Sequence, residues 1–224
     1  MKQEWIKNKI LVVDELFSPT IAKNYHYTIA QNVSWGGDLA STTSKYKNND
    51  FKNINSVYEQ FQLVSVERNS VRKEGMNTDL THFIYYPLMT WALHYGYSIR
   101  SEQISRCKVN LQTRALEKDK NKFNHPHVDV KPDDDKQRFT AIYYVNDSDG
   151  HTYFFNEDHI FAEKLENLDK LTLIEKISPK AGRLVVFPHN LVHAGSHPIE
   201  SDHRIVINYN FHAENLLQYH KDHQ

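Results

Sequence analysis

Six short runs in the second half of the chain limit its fold more than any other feature. They are KVNLQTRAL (108–116), RFTAIYYVN (138–146), HTYFF (151–155), LTLIEKISP (171–179), GRLVVFP (182–188) and RIVINYNF (204–211). Each is rich in β-branched or aromatic residues and is bounded by Gly, Pro, Asn or Asp, the composition of pleated, half-buried strands between turns. Several strands at such short spacing predict an all-β barrel or jelly roll. With 39% hydrophobic and 12% aromatic residues, including 13 Tyr and 11 Phe, the 224-residue chain can fill its interior.

Before Arg106 the texture is different. KILVV (9–13) reads as a short buried strand. Ser18-Pro19 supplies helix-start chemistry, a side-chain oxygen for the first free N–H groups and a proline that the first turn tolerates, so a helix is expected over Thr20–Gln31. SWGGDLASTTSKYKNND (34–50) reads as a polar loop, and 51–69 as a helix or a strand. DLTHFIYYPLMTWALHYGY (79–97) has apolar residues at helical spacing, predicting one or two packed helices interrupted near Pro87. No repeat, low-complexity tract or linker divides the chain.

Charge and cysteine content narrow the setting. Lys plus Arg number 27 against 28 Asp plus Glu, a formal net charge of −1, so the basic excess usual in nucleic-acid binders is missing. The single cysteine, Cys107, excludes an internal disulfide framework and fits a reducing, cytoplasmic setting. The apolar stretch ILVV near the N-terminus is too short for a signal peptide. No segment approaches the roughly 20 apolar residues that span a bilayer, so no membrane contact is expected.

The chain carries 14 histidines, and some of them cluster. In FNHPHVDV (123–130), His125, His127 and Asp129 stand at i, i+2 and i+4, and an extended strand would put all three on one face. Two histidines and a carboxylate on one face of a metal are the ligand set of non-haem Fe(II) sites. HNLVHAGSHP (189–198) offers His189, His193 and His197 as the distant third donor. Context favours His193, because its small neighbours Ala194 and Gly195 permit close approach. His189 and His197 are expected to be exposed, and His125, constrained by Pro126, to lie outside the ligand shell. Arg204 opens the apolar run RIVINYNF, where a buried cation calls for an anion such as a dicarboxylate cosubstrate.

Taken in order, these elements resemble the prolyl 4-hydroxylase-like branch of the Fe(II)/2-oxoglutarate-dependent dioxygenases. The matching residues are His127-Val-Asp129, then Arg138-Phe-Thr140-Ala-Ile142-Tyr143-Tyr144-Val-Asn146, then Gly150-His-Thr152-Tyr-Phe154. Pro179-Lys-Ala-Gly182-Arg-Leu-Val-Val-Phe187, His193-Ala-Gly195 and Arg204 complete the pattern. The resemblance implies a fold of the α+β or mainly β class, with a double-stranded β-helix (jelly roll, cupin-like) core and supporting N-terminal helices. It implies one domain over 1–224: a helical support region with an early strand (1–106), a catalytic core (107–212) and a C-terminal tail (213–224). His127, Asp129 and His193 would bind Fe(II). Arg204 would meet the distal carboxylate of 2-oxoglutarate and Tyr144 would donate a hydroxyl to it, with Asn110 and Asn208 near the metal-chelating end. Many relatives have Lys where this chain has Arg204. His151, where many have a second glycine, is a departure expected at the substrate mouth.

The implied activity is hydroxylation of a C–H bond in a peptidyl residue or small molecule, consuming dioxygen and 2-oxoglutarate, with ascorbate as a supporting reductant and with succinate and carbon dioxide as coproducts. Two other readings stand beside it: oxidation or demethylation of a nucleic-acid base on the same barrel, and a metal-binding β barrel without turnover. The near-neutral charge weighs against the first, and the intact ligand trio with Arg204 against the second. Substrate identity and oligomeric state are not encoded in these motifs.

Overall fold

The computed structural model describes residues 1–7, 9–33, 36–38, 62–69, 78–117, 120–129, 138–214 and 216. The chain order is β1 (Lys2–Ile6), β2 (Ile10–Asp14), α1 (Pro19–Asn32), β3 (Gly36–Asp38), β4 (Gln62–Asn69), α2 (Thr78–His94), β5 (Ile104–Thr113) and β6 (Arg138–Tyr144). Then follow β7 (Thr152–Phe155), α3 (His159–Ala162), β8 (Leu173–Ile177), β9 (Leu184–Pro188), β10 (His193–Gly195) and β11 (His203–His212). An eight-stranded antiparallel sheet runs β1-β2-β9-β6-β11-β5-β4-β3, and a three-stranded sheet runs β10-β7-β8. The two sheets face each other as a jelly roll. All six predicted runs form strands, whereas β1 and the three-residue β10 carry no recognisable strand signal of their own. The first 106 residues extend the large sheet at both edges, and the expected boundary at 106 falls inside β5. Most of the polar loop expected over 34–50 and most of 51–61 lie outside the described residues.

Side chains alternate across the large sheet, as the strand period requires. On one face Val109, Ala141, Tyr143, Ile207, Tyr209 and Phe211 pack with Tyr25 and Ile29 of α1 and Ile84, Leu88 and Trp91 of α2. On the other face Ile142, Tyr144, Val185, Phe187 and Val206 pack with Phe154 and Ile177 of the small sheet. Burying an apolar side chain of this size contributes about 1.5–3 kcal/mol, so the helices hold the large sheet from behind while its front face is left for the site.

Ser18 caps α1 by accepting from the Ile21 amide at 3.4 Å, as its sequence predicts. The second helix departs from expectation, for Pro87 lies within one unbroken helix. A proline provides no N–H for the carbonyl four residues earlier, here that of Phe83. The Tyr25 hydroxyl donates to that carbonyl at 3.0 Å, and the Tyr25 and Phe83 rings stack with centroids 4.5 Å apart. A donor from α1 thus replaces the lost helical bond, which the local pattern around Pro87 could not announce.

Candidate metal centre and anion pocket

FNHPHVDV forms no regular strand. His127 makes an isolated antiparallel bridge with His193, and the Asn124 amide donates to the Gly195 carbonyl at 2.8 Å. These bonds lay the segment along β10 and bring distant histidines together. The period-two argument held for His127 and Asp129 but not for His125, whose buried side chain lies outside the trio.

One ligand atom from each of His127, Asp129 and His193 falls within 4.8 Å of the others. His127 Nε2 is 4.0 Å from Asp129 Oδ1, and His193 Nε2 is 3.6 Å from Asp129 Oδ2. The two imidazoles are oriented from behind. His127 Nδ1 lies 3.0 Å from the His125 carbonyl and His193 Nδ1 lies 3.0 Å from the Leu191 carbonyl. A carbonyl only accepts, so each Nδ1 carries the proton and each Nε2 keeps a lone pair toward Asp129. Burial, reinforced by the nearby His193, pushes the His127 pKa down to about 3, so this imidazole is neutral and able to coordinate.

Asp129 is held more firmly still. Thr140 Oγ1 donates to its Oδ2 at 2.9 Å, and Asn208 Nδ2 lies 3.2 Å and 3.3 Å from its two oxygens. Asn210 Nδ2 in turn donates to Thr140 Oγ1 and Asn208 Oδ1. Burial alone would raise the carboxyl pKa, but the positive potential of His193, His127 and Arg106 and the bond from Asn208 bring it below the usual carboxylate range. Two neutral imidazoles and an ionised carboxylate, prearranged and buried, fit a divalent first-row metal such as Fe(II).

A cavity of about 270 Å³ opens from this trio, with Asn110, Gln112, Thr152 and Arg204 along its wall. Arg204 is 3% exposed. Its Nη1 donates to Gln112 Oε1 and its Nη2 donates to Thr152 Oγ1 at 2.8 Å. Gly195 and Gly150 make room for the guanidinium: a Cβ on Gly195 would lie 3.3 Å from Nη1, and one on Gly150 would lie 2.9 Å from Arg204 Cδ. A buried cation against neutral oxygens in a polar cavity suits a carboxylate. Buried polar atoms without a hydrogen-bond partner, Asn110 Oδ1 and Asn124 Oδ1, also belong to cavity-lining residues, as a polar ligand pocket would leave them.

The other expected contacts are less direct. The Tyr144 hydroxyl donates to Thr152 Oγ1 at 2.7 Å, and its ring lies 5.7 Å from the Arg204 guanidinium carbon; it reaches the cavity wall through Thr152. Burial raises the Tyr144 pKa, so the hydroxyl stays protonated. Asn208 serves Asp129, and Asn110 lines the cavity. His151 stacks near Tyr153 on the outer face of the small sheet, with centroids 6.2 Å apart, rather than among the cavity-lining residues. His197, expected to be exposed, is buried with Nδ1 2.8 Å from the Thr113 carbonyl. Gln112, Thr140, Thr152 and Arg106 were not singled out from sequence. The alternation R-C-K-V-N-L-Q puts Arg106, Lys108, Asn110 and Gln112 on one strand face, a signal that was available but gave no direction.

Residues 111–212 match the family model of the 2OG-Fe(II) oxygenase superfamily. No curated protein matches the chain in sequence. Among solved structures, an oxidoreductase of the 2OG-Fe(II) oxygenase family from Burkholderia pseudomallei superposes with a TM-score of 0.57 at 14% identity, over 92% of this chain and 86% of that one. HygX from Streptomyces hygroscopicus gives 0.54 at 10% identity over 92% and 83%. A prolyl hydroxylase from Trichoplax adhaerens gives 0.53 at 13% identity over 95% and 87%. At these identities the likeness is one of fold. The matched segment itself runs from within β5 to the end of β11 and contains the whole metal trio and Arg204, and through it the chain belongs to the 2OG-Fe(II) oxygenase superfamily.

Proposed function

We propose that this protein is an Fe(II)- and 2-oxoglutarate-dependent dioxygenase that hydroxylates a C–H bond of a peptidyl residue or a small molecule. The observation that carries this reading is a single cavity joining the His127–Asp129–His193 donor face to the buried Arg204 guanidinium. In the net reaction one oxygen atom of dioxygen enters the product hydroxyl. The other enters the new carboxylate of succinate, as 2-oxoglutarate loses carbon dioxide.

When bound by His127, Asp129 and His193, Fe(II) supplies dioxygen binding and the oxidising power of the reaction. The protein's part is positioning. Arg204 holds the distal carboxylate of the cosubstrate, with Gln112 and Thr152 fixing the guanidinium plane and Tyr144 fixing Thr152. Thr140 and Asn208 keep Asp129 ionised and pointed at the two imidazoles. Val128, Ile142 and Val206 line the same cavity and limit water around the reacting groups. Two neighbours lend support to the kind of ligands: HygX was solved with nickel and 2-oxoglutarate, and the Trichoplax hydroxylase with a peptide fragment of a hypoxia inducible factor.

The test is to incubate the purified protein with Fe(II), ascorbate and 2-oxoglutarate, following succinate release beside direct 2-oxoglutarate binding. Wild-type protein should bind 2-oxoglutarate and release succinate, while His127→Ala should release none. Absence of 2-oxoglutarate binding, with wild type and His127→Ala indistinguishable, would sink the reading.

A further inference from the structure

Four residues of β5 face the barrel interior in one row: Arg106, Lys108, Asn110 and Gln112. Their partners across β11 are Asn210, Asn208, Val206 and Arg204 in that order, and all four line the central cavity. The row has two functional ends. Gln112 binds Arg204 at one. At the other, Arg106 Nη1 lies 3.7 Å from Asp129 Oδ1, and Lys108 pairs in register with Asn208, the donor to Asp129. Between Gln112 and Lys108 the strand advances about 13 Å at 3.3–3.4 Å per residue. A five-carbon diacid reaching from Arg204 to the metal therefore ends before the Lys108–Arg106 end of the row.

Charge makes that end notable. Lys108 is 5% exposed, and Arg106 stands two residues away on the same face, so two cations share one wall of a small polar cavity. In the proposed reaction the metal's two charges are met by Asp129 and the metal-proximal carboxylate, and Arg204 is met by the distal one. Among the described lining residues, Arg106 and Lys108 then face Glu163 as the one further acid. Like charges held close in a buried wall repel, and an oxyanion between them relieves that cost. A substrate without charge has no use for this arrangement.

We propose that Arg106 and Lys108 form the substrate-specificity site of the proposed dioxygenase reaction, and that its primary substrate presents a carboxylate or phosphate to them beyond the metal. With a cavity of about 270 Å³, only the cosubstrate and the reacting end of the substrate fit inside. The anion is therefore close to the C–H bond that reacts and orients it. The inference rests on the 2-oxoglutarate reading of the same cavity.

The test uses full-length protein loaded with Mn(II) in place of Fe(II), so that nothing turns over. Affinity for 2-oxoglutarate is measured first by calorimetry. The 2-oxoglutarate-loaded protein is then titrated with acetate and with inorganic phosphate, in wild type, Lys108→Met and Arg106→Gln. Wild type should bind at least one of the two anions, and the one bound more tightly identifies the chemistry of the substrate group. Each substitution should weaken that binding 10-fold or more, while the affinity for 2-oxoglutarate changes less than 2-fold and so reports an intact fold. Failure of wild type to bind 2-oxoglutarate would remove the dioxygenase reading and this one with it. Normal 2-oxoglutarate binding with no anion binding, or with anion binding untouched by both substitutions, would overturn the specificity site alone. Loss of 2-oxoglutarate affinity in Lys108→Met would assign the lysine to the cosubstrate and overturn it too.

Discussion

His127 and His193 hold each other by a reciprocal backbone bridge: the His127 amide donates to the His193 carbonyl, and the His193 amide to the His127 carbonyl, each at 3.0 Å. The two metal-facing rings are thus set by main-chain bonds rather than by side-chain packing, with ring centroids 4.7 Å apart. A site built this way should exist before the metal arrives. It should lose affinity by degrees when its supports are removed.

The supports of Asp129 offer the first check. Thr140→Val and Asn208→Ala each remove one donor from the carboxylate while leaving all three ligands. Each is expected to lower metal affinity roughly 10- to 100-fold, measured by anaerobic calorimetry with Fe(II). An unchanged affinity in both would mean that His127 and His193 alone orient the carboxylate.

Arg204 should act on the cosubstrate and not on the metal. Arg204→Met removes the guanidinium that Gln112 and Thr152 hold. Charge-assisted hydrogen bonds contribute about 1.5–3 kcal/mol, so 2-oxoglutarate affinity should fall roughly 10- to 150-fold. Metal binding should stay within about 2-fold. Loss of the metal instead would make Arg204 a structural residue.

Gly150 and Gly195 crowd the same guanidinium but predict different outcomes. A Cβ on Gly150 would lie 2.7 Å from the Ser196 carbonyl oxygen and 2.9 Å from the Pro198 nitrogen, both backbone atoms that cannot step aside. Gly150→Ala should therefore destabilise the fold by about 1–3 kcal/mol, seen as a lower midpoint in urea unfolding. On Gly195 the nearest atoms belong to the Arg204 side chain, at 3.3–3.6 Å. Gly195→Ala should leave the unfolding midpoint nearly unchanged and weaken 2-oxoglutarate binding.

A pH effect is expected in the turn that leads into β11. Asp149 accepts from the Ile199 and Glu200 amides through Oδ2 and from the Ser201 amide through Oδ1, at 2.8–2.9 Å. Burial acts to raise its pKa, but the amides of Glu200, Ser201 and Ile199 and the Ser201 hydroxyl outweigh it and hold the carboxyl well below the usual range. For a depressed acid the added stability is complete above the unfolded-state pKa of about 4 and disappears as pH falls through the folded value. Wild type should thus be more stable than Asp149→Asn at pH 7, and the gap should close only below about pH 4. Chemical unfolding of both proteins between pH 7 and pH 3 measures it. A gap that closed between pH 7 and pH 5 would point to another group.

The ligand trio was legible because its parts are local: His127 and Asp129 share a five-residue stretch, and His193 follows a buried strand and precedes Ala194 and Gly195. Helix α1 was equally open to reading, since Ser18 and Pro19 act within one turn. Pro87 misled because the donor that rescues the helix comes from Tyr25, far away in sequence. His197 misled in the same way, its partner being the Thr113 carbonyl.

What the sequence alone determined was composition by period: which residues alternate, where turns fall, and which residue types could hold a metal or meet an anion. Tertiary structure decided direction and company. The KVNLQ alternation puts Lys108, Asn110 and Gln112 on one face, but only pairing with β11 and cover by α1 and α2 on the opposite face make that face the interior. A strand's two faces are equivalent until something packs on one of them. Whether Lys108 and Arg106 point to solvent or into the iron site was therefore settled by the helices behind the sheet.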